Sequence, residues 1–140
     1  MAVSDINALS NLWYQPALSS SVNGHPSGLH SDALGFVVTD IDDIEQCIRI
    51  ILETVRGSVP HRPLFGATVY QYIDAPINEA RPHVVREVFQ ALRAWEPRID
   101  VIKVTLTPSD VAAMLCEVTW QPANEEGRQL ITNLLLGSAQ

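Results

Sequence analysis

Two hydrophobic periods divide the chain. Between Asp40 and Gly57, Ile41, Ile44, Ile48, Ile51 and Val55 recur at steps of three and four, with Cys47 and Leu52 beside them, which predicts an amphipathic helix. Asp40 or Asp42 is placed to cap its start, the acidic first turn and Arg56 in the last turn both suit the helix dipole, and Gly57 suits a left-handed C-cap. A second helix is expected from Arg81, with Pro82 at its first position, burying Val85, Val88, Phe89, Leu92 and Trp95 until Pro97 stops it. Between the two helices, Ser58 to Gly66 is a loop stiffened by Pro60 and Pro63. Ala67 to Asp74 is a short helix with Val69, Tyr72 and Ile73 on one side, ended by Pro76.

After Pro97 the period falls to two. Ile102, Val104 and Leu106 alternate with Lys103, Thr105 and Thr107. Pro108, Ser109 and Asp110 turn the chain, and Met114, Cys116, Val118 and Trp120 alternate with Leu115, Glu117 and Thr119, an antiparallel hairpin. Leu130 to Leu136 fits a third strand or a closing helix, and the hairpin spacing favours the strand. Leu34, Phe36 and Val38 alternate in a short strand ahead of the first helix. Residues 1–32, with Ser19, Ser20, Ser21, Gly24, Pro26 and Gly28 behind Leu12, Trp13 and Tyr14, read as an irregular arm that packs loosely or on a partner. The expectation is an α+β domain over 33–140, two main helices packed on a small antiparallel sheet, preceded by an arm over 1–32.

Composition narrows the partners. The chain has 140 residues and a net charge of −7, with Lys103 its one lysine, so it lacks the basic surplus that nucleic acid demands. No leader-like or membrane-spanning run is present, which points to synthesis in a cytoplasm. Cys47 and Cys116 lie in apolar segments as small core residues, and His25 and His30 lack cysteines or carboxylates at zinc-ligand spacing. No metal or cofactor is expected.

Enzymatic chemistry finds little purchase. A glycosidase needs two carboxylates facing one cleft, but Glu53 and Glu87 fall on or near polar helix faces and Glu117 on the solvated face of its strand. There is no Gly-x-Ser-x-Gly elbow and no glycine-rich phosphate loop. One local feature stands apart. In Trp95, Glu96, Pro97 and Arg98 a helix ends at a proline-stiffened corner that displays two opposite charges. A glutamate there opposes the negative end of the helix dipole, so Glu96 requires a specific donor, within the domain or on a partner.

From Ile41, Asp42, Asp43, Ile44 and Gln46, through Thr54 and Gly57, to Arg62, Pro63, Phe65 and Gly66, then Arg81, Pro82, His83 and Val84, and on to Trp95, Glu96, Pro97, Arg98 and Ile99, the chain resembles the baseplate wedge family of contractile phage tails. That family includes the W proteins of temperate phages and a type VI secretion baseplate subunit, and its members have often been labelled lysozymes. The resemblance covers about two thirds of the chain. It implies a non-enzymatic structural subunit whose Glu96, Pro97 and Arg98 dock on the helical core bundle of the wedge proteins. It further implies a domain that starts sheath polymerisation, in six copies per baseplate, within a virion tail assembled in the host cytoplasm. Leu64 stands where many members carry an acidic residue, so a polar contact at that loop does not carry over. The competing classes are a peptidoglycan hydrolase of the tail tip and an unrelated acidic adaptor.

Overall fold

The structure, a computed structural model, describes residues 3–5, 14–18, 36–110 and 113–137. It is α+β, with two main helices and a small antiparallel sheet as expected, and a second, shorter sheet near the N-terminus. The chain divides into two compact units, with the boundary between Ile50 and Ile51.

In the first unit, β3 (Phe36–Thr39) is flanked on both edges by antiparallel strands, β1 (Val3–Asp5) and β2 (Tyr14–Pro16). Most of the arm expected over 1–32, including Trp13, His25 and His30, lies outside the described residues. Where it is described it is paired rather than irregular: Val3 faces Val38, Gln15 faces Val38 from the other edge, and the Ala17 amide donates to the Phe36 carbonyl at 3.0 Å. Pro16 fits because β2 is an edge strand, where a missing N–H costs no ladder bond. Asp40, at φ 53°, swings β3 directly into helix α1 (Asp40–Glu53). Here α1 buries Ile44 and Ile48, and with them two polar side chains absent from the expected core, Asp43 and Gln46. Gln46 acts as a surrogate strand. Its Oε1 accepts from the Leu18 amide and its Nε2 donates to the Pro16 carbonyl, both at 3.0 Å, while Gln15 donates to the Asp43 carbonyl at 2.9 Å.

The second unit opens with the last residues of α1, where Ile51 and Leu52 are buried. The helix ends at Glu53, four residues before the expected glycine stop. β-Branched Thr54 and Val55 leave the helix to make a parallel bridge, with Ala67 donating to the Thr54 carbonyl at 3.0 Å and Arg56 to the Ala67 carbonyl at 3.2 Å. Gly57 does adopt a left-handed φ of 91°, but in the turn after that bridge. Gly66 holds the close approach: at φ 100° and with the Thr54 carbonyl against its Cα, a Cβ would clash with backbone.

A single 3-10 turn, Val69–Tyr72, replaces the short helix expected over 67–74. Helix α2 runs Ile77–Trp95, starting four residues earlier than Pro82 suggested. Pro82 sits inside the helix on its exposed side, where the Asn78 carbonyl that lacks its N–H partner can meet water. The buried stripe is Ala80, Val84, Glu87, Val88, Ala91 and Leu92, so Val85, Phe89 and Trp95, expected in the core, are only half-buried.

Strands β4 (Ile99–Asp110), β5 (Ala113–Pro122) and β6 (Leu130–Gly137) form the sheet in that order, all antiparallel, and 130–136 is a strand. Met114, Cys116, Val118 and Trp120 line its buried face as the alternation predicts, joined by Leu106, Leu134 and Leu136. Two departures concern β4. Ile102 is bulged between the Val101–Trp120 and Lys103–Thr119 pairs and is exposed rather than buried. The strand also runs through Pro108 with a second register shift instead of turning there. Across the buried face, Trp120 Nε1 donates to Thr132 Oγ1 at 2.9 Å, which satisfies both polar atoms in the core.

Candidate functional site: the corner after helix α2

The Glu96 amide closes the last turn of α2 by donating to the Leu92 carbonyl at 2.8 Å. Its backbone then opens to φ −130°, ψ 77°, the extended geometry a following proline enforces. The Arg98 carbonyl accepts from the Ala123 amide at 2.8 Å, which ties the far side of the corner to the end of β5. Between these two anchors Pro97 is exposed and its neighbours face each other. Arg98 Nε and Nη2 donate to the two oxygens of Glu96 at 2.7 and 2.8 Å, a bidentate fork.

Glu96 is therefore not displayed. It is 3% exposed, and the donor it required lies two residues away within the domain. Arg98, with about a quarter of its side chain open (26%), presents the outer edge of the pair to solvent. The three residues singled out from the sequence thus form one unit: a buried carboxylate, an exposed proline and an arginine with about a quarter of its side chain exposed.

A second element converges on the same corner. The Phe65 and Trp95 rings meet edge to face at 5.2 Å and 69°, and the Arg62 guanidinium lies over both, 5.6 Å from the Phe65 centroid and 5.4 Å from that of Trp95. Helix α2 supplies Trp95, and the proline-stiffened loop supplies Arg62 and Phe65. Beside them Leu64 stands 72% exposed.

Glu87 corrects an expectation. Read as lying near a polar helix face, it is buried, held by the Thr68 hydroxyl and flanked by Arg56 and Arg86, each 3.8 Å from a carboxylate oxygen. A glutamate between Val84, Val88 and Ala91 is on the inward stripe, and that spacing was the available signal. The cluster joins α2 to the bridge segment that carries Arg56 and to Thr68 ahead of the 3-10 turn.

None of this resembles acid–base machinery. Both oxygens of Glu96 are occupied by one guanidinium, Glu87 is tied to a hydroxyl and two cations, and Glu117 lies on the less buried face of β5. Cys116 is no nucleophile, since burial, with Glu117 nearby, pushes its thiol up to about 12. Burial raises Tyr70 too, with Glu53 adding to the shift. Among the described residues no group of three or more His, Cys, Asp or Glu side chains could hold a metal ion, and no helix is long and apolar enough to cross a membrane.

The family model of the baseplate wedge protein gp25 matches residues 38–121, a span that holds the loop, the clamp at Glu87 and the whole corner. Baseplate protein W of Escherichia phage P2 is 33% identical over 97 residues, which is 69% of this chain and 84% of that protein. Among solved structures, a Geobacter sulfurreducens protein carrying a provisional tail-lysozyme name is 29% identical with a TM-score of 0.60, covering 74% of this chain and 97% of its own. A chain of the type VI secretion baseplate complex, at 20% identity and a TM-score of 0.55 over 70% of this chain and 94% of its own, shares the fold.

Proposed function

This chain belongs to the baseplate wedge protein gp25 family and is a baseplate component of a contractile tail, and from that premise we propose that it is a structural wedge subunit. In this reading it docks on the core bundle of its neighbouring wedge proteins through Glu96, Pro97 and Arg98 and then starts sheath growth. It does so in six copies within the virion tail, after assembly in the host cytoplasm. The observation that carries the docking step is the corner itself. Its fork is already formed, its backbone is anchored on both sides, Pro97 is exposed and Arg98 keeps about a quarter of its side chain (26%) exposed, so little order has to be gained on binding.

We assign sheath growth to the outer edge of β6, which ends the strand order β4-β5-β6 among the described strands. The Leu106 carbonyl accepts from Arg81 Nη2 at 3.3 Å, so it points away from β5, and its partner Cys116 must turn its own backbone groups toward β6. Cys116 pairs with Leu134, so alternation turns the N–H and C=O groups of Ile131, Asn133 and Leu135 outward. Those groups suit strand addition by an extended arm of a sheath subunit.

The hydrolase reading has less support, because the buried carboxylates are committed to hydrogen bonds and ion pairs within the domain. Co-expression with the wedge subunits of the same tail tests the docking step: the wild-type chain should co-purify with them, and a folded chain that never does so would refute it. Asn133→Pro should spare wedge assembly and block sheath elongation as seen by electron microscopy. Normal sheaths on such baseplates would exclude this edge. Purified chain should release no soluble fragments from peptidoglycan sacculi, and release abolished by a glutamate-to-glutamine change would favour the hydrolase.

A further inference from the structure

We propose that Arg62, seated on Phe65 and Trp95 with Leu64 beside it, is a second anchor of the docking surface and receives a carboxylate flanked by an apolar side chain on a protein partner. The inference rests on the docking reading above and adds to it the chemistry of the partner.

The guanidinium is held rather than free to wander. Two ring centroids lie 5.4 and 5.6 Å from it, and the rings fix each other edge to face. The loop beneath is closed by consecutive turns, Arg62 donating to the Val59 carbonyl at 3.1 Å and Phe65 to the Arg62 carbonyl at 3.0 Å, and is pinned at its end by Gly66. Arg49, Arg56, Arg86, Arg98 and Arg128 each approach a carboxylate within 4 Å. Among the described residues Arg62, like Arg81 and Arg93, has no such partner, although acidic residues outnumber Lys and Arg by 16 to 9 in the chain; Arg81 donates instead to the Leu106 carbonyl, and of the three Arg62 has its guanidinium set over two rings. An exposed arginine stacked on aromatics, without a carboxylate partner among the described residues of an acidic protein, presents its planar fork of donors on the open side, and a carboxylate matches that fork. Leu64, two residues along and 72% exposed, adds an apolar contact at the same place. Trp95 of this seat directly precedes Glu96 in the chain, so both anchors lie at the C-terminal end of α2.

Nucleic acid offers anions too, but a chain with a net charge of −7 repels a run of phosphates. A protein carboxylate next to an apolar side chain uses both halves of the seat, and Arg and Trp are favoured at the energetic centres of protein interfaces.

The test measures the dissociation constant of the full chain for the purified wedge subunits of the same tail. Arg62→Met keeps an unbranched apolar chain over the rings and removes the charge, and Leu64→Ser removes the apolar contact from a solvent-exposed position. Both variants should melt as the wild type does. Arg62→Met should weaken binding by about ten- to a hundredfold, Arg62→Glu by more, Arg62→Lys by less, and Leu64→Ser by several-fold. Added salt should weaken the wild type more than Arg62→Met. If Arg62→Met binds as tightly as the wild type while Glu96→Gln/Arg98→Met does not bind, the inference fails and the docking reading stands. If the folded wild type does not bind the wedge subunits, both fall. Arg62-dependent binding of a double-stranded oligonucleotide, without loss of wedge binding in Arg62→Met, would assign the seat to phosphate and overturn the inference.

Discussion

Arg98→Ala tests whether the corner is a lock as well as a docking point. The substitution deletes both donors of the fork, at 2.7 and 2.8 Å, and leaves the Glu96 carboxylate without them, 3% exposed at a helix C-terminus whose dipole disfavours negative charge. Removing one partner of a fully buried pair costs about 3–5 kcal/mol. The Arg98 side chain is 26% exposed, so water can enter the vacated position and hydrate part of the carboxylate; the expected loss is about 2–3 kcal/mol. For a chain of this size that lowers the melting temperature by about 6–10 °C. An arginine that only awaited a partner would behave as a surface residue, with a change within about 0.5 kcal/mol. Thermal unfolding followed by circular dichroism separates the two. The double variant Glu96→Gln/Arg98→Ala removes the stranded charge and should be less destabilised than Arg98→Ala alone, giving with the single Glu96→Gln a clear coupling energy in the cycle. A single variant melting within about 1 °C of wild type, or additive losses in the cycle, would refute the lock. Loss of stability and loss of docking are then separable, because the double variant retains the fold without the fork.

Three further outcomes follow from the packing. Gly66→Ala should cost at least about 2 kcal/mol in denaturant titration, because a Cβ is strained at φ 100° and meets the Thr54 carbonyl; an unchanged midpoint would mean that the bridge between Val55 and Ala67 relaxes freely. Glu87→Ala should cost on the order of 2–4 kcal/mol, since it strips Thr68 of its acceptor and Arg56, whose Nε is buried without a hydrogen-bond partner, of its nearby carboxylate; a surface-like effect would contradict the burial of Glu87. Cys116, raised from 9.0 to about 12, keeps its proton in the folded state while the unfolded chain loses it. Its contribution is thus fully present below about pH 9 and is lost at roughly 1.4 kcal/mol per pH unit as pH rises toward 12. Cys116→Ala should flatten the alkaline limb of a stability–pH profile, and an unchanged slope would count against the assignment.

Periodicity located the elements whose environment is uniform along their length. The alternation of Met114, Cys116, Val118 and Trp120 survives intact because β5 is the central strand, paired on both sides and buried on one face. It failed where a tertiary contact broke the local rule. Ile102 continues the apolar rhythm of β4 by residue type, yet a bulge removes it from the buried face, and no composition signal marks a bulge without glycine. Pro82 reads as a helix start, but a proline on an exposed first turn and a half is tolerated once the rest of α2 is packed. The helix therefore begins at Ile77, and its buried stripe is Ala80, Val84, Glu87, Val88, Ala91 and Leu92. Gly57 has the backbone expected of a C-cap, but the helix had already ended at Glu53 because Thr54 and Arg56 pair with Ala67, a contact eleven residues away or more along the chain.

The candidate site shows the same division between what a stripe reveals and what it hides. Sequence identified Glu96 as a carboxylate in need of a donor, because helix polarity and Pro97 are local facts; it left open where the donor lay, because Arg98 could turn inward or outward from the same backbone. The bidentate fork resolves this, and the burial of Glu96 decides it, since an outward Arg98 would leave that carboxylate without compensation. Arg62 is the opposite case. Its neighbours Pro63, Phe65 and Gly66 mark a stiff loop, but Trp95 comes from the end of a helix 33 positions later, and only the fold brings the ring beneath the guanidinium. Glu87 lies between these extremes: it is a polar residue on an apolar helical stripe, flanked by Val84, Val88 and Ala91 of the core, and it proves to be hydrogen-bonded where it is buried. An interruption of that kind marks a place where another segment must arrive with matching donors or acceptors, which gives sequence reasoning a way to identify the buried side chains that tie distant segments together before the fold is known.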